Sequence, residues 1–219
     1  MTFLQTSSDI DTNRIFIWVL CMIYSIYAII RIYYRRIANR RQNHIQLAEK
    51  KTGIDLLNAL IQFEVFTFVI YCLWHIFDPY TVPFQLIFPL WLRWFGTGTC
   101  VTALGFFLWS HHSLGDNFSP NIKIRENQLL VTSGAYQFVR HPMYSAFILL
   151  HIGVFLLTAN YFIGVLWNLG LFGILLYRIP REETMMSEKF GNTYREYMHH
   201  TTRFVPSLRA FRHNHHNSN

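Results

Sequence analysis

Apolar residues along this chain fall in blocks separated by polar connections. A helix needs roughly 20 apolar residues to cross a bilayer, and five blocks suggest that length: about 15–34, 55–77, 90–110, 143–158 and 161–178. The fourth and fifth are short or tightly joined. The first is longer than the apolar core of a cleavable signal peptide and ends in Arg31, Arg35 and Arg36, so it reads as a retained span. Asp78-Pro79 and Pro83 mark a tight turn between the second and third spans. Residues 1–14 are polar and loose, and 35–54 form a basic connection. The pattern predicts an all-α polytopic membrane protein with five transmembrane helices in a single domain over 1–219.

Two polar stretches depart from simple linkers. Residues 111–142 begin with a turn-rich segment, Leu114-Gly115-Asp116-Asn117-Phe118-Ser119-Pro120. Apolar and polar positions then alternate over Asn121–Glu126, as in a short extended segment, before apolar Leu129-Leu130-Val131 and a turn at Thr132-Ser133-Gly134. This is an ordered loop that leads to His141. After the last span, Met185, Met186, Phe190, Tyr194 and Tyr197 recur at mostly three- and four-residue spacing, with Glu188, Lys189, Arg195 and Glu196 between them. Residues 181–206 therefore read as a C-terminal amphipathic helical region, divided at Gly191, lying on the membrane or over the loop.

Charge orients the chain. The protein has 219 residues, 52% hydrophobic and 14% charged, with a net charge of +7. Cytoplasmic connections hold the excess of Lys and Arg. The first carries Arg35, Arg36, Arg40, Arg41, Lys50 and Lys51; the third carries Lys123, Arg125 and Arg140. The tail carries Arg181, Lys189, Arg195, Arg203, Arg209 and Arg212, while the second and fourth connections carry none. Five spans then place the N-terminus outside and the C-terminus in the cytosol. The basic residues sit at membrane borders, where they favour anionic lipid headgroups and argue against nucleic acid. Cys21, Cys72 and Cys100 lie inside spans without ligand spacing, and the adjacent histidine pairs at 111, 199 and 215 diverge on a helix, so no metal site is expected. Trp91, Arg93 and Trp94 fit an interfacial anchor with the arginine reaching outward, the alternative being a buried functional arginine, and His75 fits the same border. Glu64 lies deep in the second span, where it is either functional or paired with a polar group of a neighbouring span.

Two clusters carry candidate chemistry. Arg140-His141-Pro142-Met143-Tyr144 opens the fourth span, with proline in the first turn, where a missing N–H costs little. His141 and Tyr144 point to roughly one face of a helix start that favours anionic groups. Alone, this motif is equally an interfacial anchor. Arg178 and Glu182 share a face if the last helix continues past Pro180, which could also bend or restart it. An exposed ion pair there would be worth only a few tenths of a kcal/mol. The adjacent Glu182-Glu183 is harder to explain as an anchor.

Together with Leu114-Gly115-Asp116-Asn117-Phe118-Ser119, Leu129–Tyr136, Phe190-Gly191 and Tyr194-Arg195-Glu196-Tyr197, these clusters resemble the isoprenylcysteine carboxyl methyltransferase family. The likeness covers about 86–206, with the motifs in 111–206, and extends to the layout of its short, prokaryotic-type five-span members. It implies an integral-membrane enzyme that uses S-adenosylmethionine. By motif match the cofactor would be held by Leu130, Val131, Tyr136, His141, Pro142, Tyr144 and Glu182, with Lys123 and Gln128 as further contacts. Arg178 matches the position that holds the acceptor's carboxylate, so Arg178 and Glu182 are the expected catalytic pair.

The implied acceptor is a prenylcysteine or another lipophilic molecule entering from the bilayer, with membrane lipids as the other partner. The active site would face the cytosol, at the cytoplasmic membrane of a prokaryote or the endoplasmic reticulum of a eukaryote. Ala146 stands where the family often has glycine, and Thr184 follows Glu182-Glu183 where a longer acidic run is common; both bear on the acceptor. Two rivals share the helical layout: a phospholipid amine methyltransferase, for which Glu183 is the obvious base, and a sterol-type reductase using a nicotinamide. A third is a non-catalytic scaffold or small transporter, against which the gathering of polar groups at one face counts.

Overall fold

The computed structural model describes residues 7–42, 56–118 and 128–206. Their regular structure is helical: α1 Ser7–Gln42, α2 Leu56–Phe77, α3 Leu90–Leu114, α4 Pro142–Thr158, α5 Tyr161–Phe190 and α6 Asn192–His200. Short 3-10 turns occupy Gly115–Asn117 and Gly134–Gln137. Each apolar block of the sequence lies within one of the first five helices. Among the described residues α1, α2 and α5 are long and apolar enough to cross a membrane, and α4 is a shorter apolar helix. The chain is thus a multi-pass membrane protein. The alternating segment at 121–126 lies outside the described residues.

α1 and α5 run furthest past their apolar blocks. α1 extends into polar sequence at both ends. α5 continues through Pro180 to Phe190, because proline removes only one backbone hydrogen bond and the turns on both sides are packed. Ile179, Arg178 and Glu183 are all buried around it. The break comes at Gly191, whose φ of +56° suits glycine and separates α5 from α6.

The chain divides into two compact units. The first comprises Met1–Ile29, Lys50–Leu104 and Ile148–Ile174. Its centre is Phe16, Leu20, Ile23, Cys100, Leu157 and Trp167, all nearly inaccessible. α3 and α4 meet there almost backbone to backbone: a Cβ on Gly153 would fall 2.6 Å from Cys100 Sγ and 2.9 Å from Gly96 O. Small residues permit such approaches in membranes, where dispersion rather than water exclusion holds helices together. Glu64 finds its partner in His151 of α4, with Oε1 and Nε2 2.9 Å apart. Trp167 beside them donates to Thr67 Oγ1 at 2.9 Å.

Arg93 does not reach outward. It is buried, its Nε donating to Leu157 O at 2.9 Å and its Nη1 to Asn13 Oδ1 at 2.7 Å, with the guanidinium over the Phe16 ring. The expected anchor is therefore a cap on the last carbonyls of α4, a geometry the planar guanidinium suits. His75 is buried as well, its ring edge-on to Tyr71. Trp91 and Trp94 remain exposed, as an interfacial belt requires. At this end of the unit the connection before α3 pairs with the α4–α5 turn. Leu86 N–H donates to Ala159 O, Tyr161 N–H to Phe84 O, and Asn160 Nδ2 to Pro83 O.

The second unit comprises Ile30–Glu49, Gly105–Phe147 and Leu175–Asn219. Phe107 packs against Phe147, and His111 is enclosed by Tyr34, Phe107 and Phe118, each ring centroid 4.5 Å away. Beyond α6, residues 201–205 form a strap alongside the start of α4. Arg140 N–H donates to Thr202 O at 2.8 Å, His141 N–H to Arg203 O at 3.0 Å, and Ser145 Oγ to Phe204 O at 2.8 Å.

Candidate functional site

The second unit gathers most of the expected site residues. Pro142 takes the first position of α4 and Tyr144 the third, one turn along from His141, so the two rings lie together at 5.5 Å. Because α5 stays helical across Pro180, Arg178 and Glu182 do share a face. That face meets Tyr144. Arg178 Nε donates to Tyr144 Oη at 3.1 Å, Tyr144 Oη donates to Glu182 Oε1 at 2.5 Å, and Arg178 Nη2 lies 3.4 Å from the same oxygen. Arg178 is buried, whereas the Glu182 side chain keeps 25% of its surface exposed. The carboxylate is the accessible corner of this triangle.

Glu183 turns elsewhere. Arg203 grips it with both arms, Nε to Oε1 at 3.1 Å and Nη2 to Oε2 at 2.6 Å. Arg140 Nε and Nη2 each donate to Oε1 at 3.2 Å, and His141 Nε2 lies 3.3 Å from it. Burial pushes this carboxyl up. The hydrogen bonds of His141 and Arg203 and the Arg140 charge outweigh it, holding the group at about 2. The same pairing raises the Arg203 guanidinium. His141 thus stands between two carboxylates, with Nδ1 3.8 Å from Glu182 Oε2 on its other side. The start of α4 is less open to an anion than the sequence suggests, since the strap occupies the His141 N–H.

Tyr136, in the turn before α4, accepts a 2.6 Å hydrogen bond from Tyr197 Oη on its carbonyl. Burial first, then Tyr197, Glu182 and Tyr144, push its phenol well above the ordinary value, so it stays protonated near Glu182. Gln128, Leu130 and Val131 lie half-buried on the segment leading to this turn, beside Leu129, whose N–H donates to Asn117 Oδ1 at 2.9 Å. Lys123 lies outside the described residues. Among the described residues no group of three metal-ligating side chains occurs.

Arg140 and Glu183 stand in the two clusters that the sequence marks, but their pairing with each other was not foreseen, and Arg203 was not marked as a site residue at all. Arg203 carries no local signal, because its partner is 20 residues away across a helix break.

Residues 96–188 match the family model described as the isoprenylcysteine carboxyl methyltransferase (ICMT) family. Protein-S-isoprenylcysteine O-methyltransferase B of Arabidopsis thaliana is 35% identical over 94 residues, 42% of this chain and 48% of that protein. Protein-S-isoprenylcysteine O-methyltransferase of Schizosaccharomyces pombe is 32% identical over 96 residues, 43% of this chain and 41% of its own. The Dictyostelium discoideum enzyme is 27% identical over 157 residues, 70% and 64% of the two chains. The chain spans about half the length of the curated relatives it matches first. A solved structure described as the eukaryotic intramembrane Ras methyltransferase ICMT shares the fold. It superposes with a TM-score of 0.62 at 21% identity, over 89% of this chain and 68% of that one.

Proposed function

We propose a specific reaction, supported by the match of residues 96–188 to the isoprenylcysteine carboxyl methyltransferase family model and by the relatives of that name. The protein transfers a methyl group from S-adenosylmethionine to the carboxylate of a lipophilic acceptor at the cytosolic membrane interface. The acceptor is a prenylcysteine, as the relatives' names suggest, or another lipid-soluble acid.

The observation that carries the reading is the Arg178–Tyr144–Glu182 triangle. It sets a buried guanidinium beside an accessible carboxylate on one helix face. The donor set suits an adenosyl sulfonium. A cationic sulfur is favoured by a carboxylate and by aromatic faces, which Glu182, Tyr144 and Tyr136 supply. His141 suits the cofactor's own carboxylate. Leu130, Val131, Gln128 and Lys123 belong to the same reading as lining of the loop side. When bound, the cofactor supplies an electrophilic methyl that leaves a neutral thioether behind.

Arg178 orients the acceptor's carboxylate, for which its fork can bind both oxygens. A carboxylate is already nucleophilic, so no general base is required. Alignment and exclusion of water supply the rate, and effects of this kind are worth several kcal/mol. This also answers the amine-methyltransferase alternative. Glu183 would be its base, but two arginines and the His141 ring already occupy that carboxylate.

The same reading takes α3 and α4 as crossings. That gives five spans, an outside N-terminus, a cytosolic site and an amphipathic 181–206 along the cytosolic face. The test is calorimetric binding of S-adenosylmethionine and its demethylated product to detergent-purified protein, beside a nicotinamide control, followed by turnover assays. Arg178→Ala and Glu182→Ala each abolish methyl transfer while leaving the melting transition in place. Full activity in both variants, or binding of the nicotinamide alone, sinks the proposal.

A further inference from the structure

The strap after α6 lies outside the matched region, yet it holds the residue that stands between Glu182 and Glu183. We infer that Arg203 is a positioning residue of the site: its two-pronged grip on Glu183 fixes the imidazole of His141. This rests on the reading that His141 faces the adenosyl cofactor.

The geometry has two parts. Glu183 Oε1 is shared by Arg140, Arg203 and His141, whereas Oε2 takes its 2.6 Å bond from Arg203. A carboxylate held only through Oε1 could swing about its last torsion. Held through both oxygens by a planar fork, it presents Oε1 to His141 Nε2 in one orientation. That contact settles which ring nitrogen faces Glu183 and which, 3.8 Å from Glu182, faces the accessible side of the site. The hydrogen bond an imidazole makes at one nitrogen sets what the other can do.

The backbone reinforces the side chain. Arg203 O accepts from His141 N–H at 3.0 Å, and Val139 pairs in parallel with Thr202. Arg140 Nη1 also donates to the carbonyls of Met198 and Thr201, fastening the last turn of α6 and the start of the strap. Side chain and main chain of one residue therefore fix the ring and the backbone of His141.

Removing this side chain leaves no internal void. Its surface is 52% exposed, and with Glu183, Thr184, Glu188, Arg195 and Met198 it lines a cleft of about 460 Å³. Arg203→Gln should fold. The experiment uses the full chain in detergent with ¹⁵N-labelled histidine side chains, the His141 signals being assigned by their loss in His141→Asn. In Arg203→Gln the ring nitrogens of His141 shift, while those of His111 and His151 stay in place. Arg203→Lys keeps the charge but not the fork and falls between.

In parallel, the affinity for S-adenosylmethionine weakens on the order of tenfold, the scale of one charge-assisted hydrogen bond. The KM for the cofactor rises more than kcat falls. Glu183→Gln combined with Arg203→Gln is no worse than either alone, as expected for groups acting as one unit. Unmoved His141 signals, or undiminished affinity in Arg203→Gln when the wild type binds, overturn the inference. If the wild type binds no adenosyl ligand but the His141 signals still shift, the cofactor reading fails and the positioning of His141 by Arg203 stands.

Discussion

Glu182 and Glu183 are neighbours in sequence but answer to different partners, since one step along a helix turns a side chain by about 100°. The first meets Tyr144 and Arg178; the second meets Arg140, His141 and Arg203. Glu183 makes a prediction about acid. Its carboxyl falls from the ordinary 4.5 to about 2 in the folded protein. A depressed carboxyl contributes stability that is fully present above its unfolded value and is lost as pH falls through its folded one. Thermal melts of the wild type and Glu183→Gln should therefore differ most above about pH 4.5, and the gap should close as pH is lowered toward 2. A gap that does not narrow with acid would mean the charge of Glu183 is not what its neighbours use. The four-residue spacing made Arg178 and Glu182 legible in the sequence. The partners of Glu183 were not, because they arrive from 43 residues before it and 20 residues after it. No periodicity links such distant positions.

At the scale of elements, long apolar blocks announced the helices, and Gly191 announced the break before α6. What the blocks could not give was the distance between helices. Gly96 and Gly98 are two residues apart and equally small, yet only the first lies against α4. A Cβ on Gly153 meets Cys100 Sγ at 2.6 Å and two backbone atoms at 2.9 Å, whereas one on Gly98 meets nothing within 4 Å. Backbone atoms cannot step aside, and overpacking of this kind costs roughly 1–3 kcal/mol. Gly153→Ala should lower the melting temperature by several degrees, on a scale of about 2–4 °C per kcal/mol for a chain of this size. Gly98→Ala should leave it unchanged or raise it slightly, since alanine is the better helix former by about 1 kcal/mol. Melting curves in one detergent decide it; equal effects would mean that α3 and α4 are not in backbone contact. Glu64 belongs to the same lesson. A lone carboxylate in an apolar block reads as functional or paired, and only packing against α4 supplies His151 as its partner.

For the whole chain, connections and charge can be set side by side. The two connections without Lys or Arg, before α3 and between α4 and α5, are hydrogen-bonded to each other through Phe84, Leu86, Ala159 and Tyr161. The arginine-bearing third connection is bonded in turn to the tail, through Arg140 with Thr202 and His141 with Arg203. Within each of these two pairs the connections are alike in charge and lie together, as they must if the excess of Lys and Arg marks one side of a bilayer. α3, at 25 residues about 37 Å long, is ample for a hydrocarbon core of roughly 30 Å. α4, with 17 residues, is about 25 Å and relies on tight joining to α5. Crossing by α3 can be tested by labelling single cysteines with a membrane-impermeant maleimide, in a background lacking Cys21, Cys72 and Cys100. Tyr80 and Thr132 are both exposed and flank α3. Tyr80→Cys should react in intact cells, and Thr132→Cys only after permeabilisation. Reaction of both from outside would mean that α3 does not cross. Three clear spans would then remain, and the candidate site would lose the cytosolic face on which it has been placed.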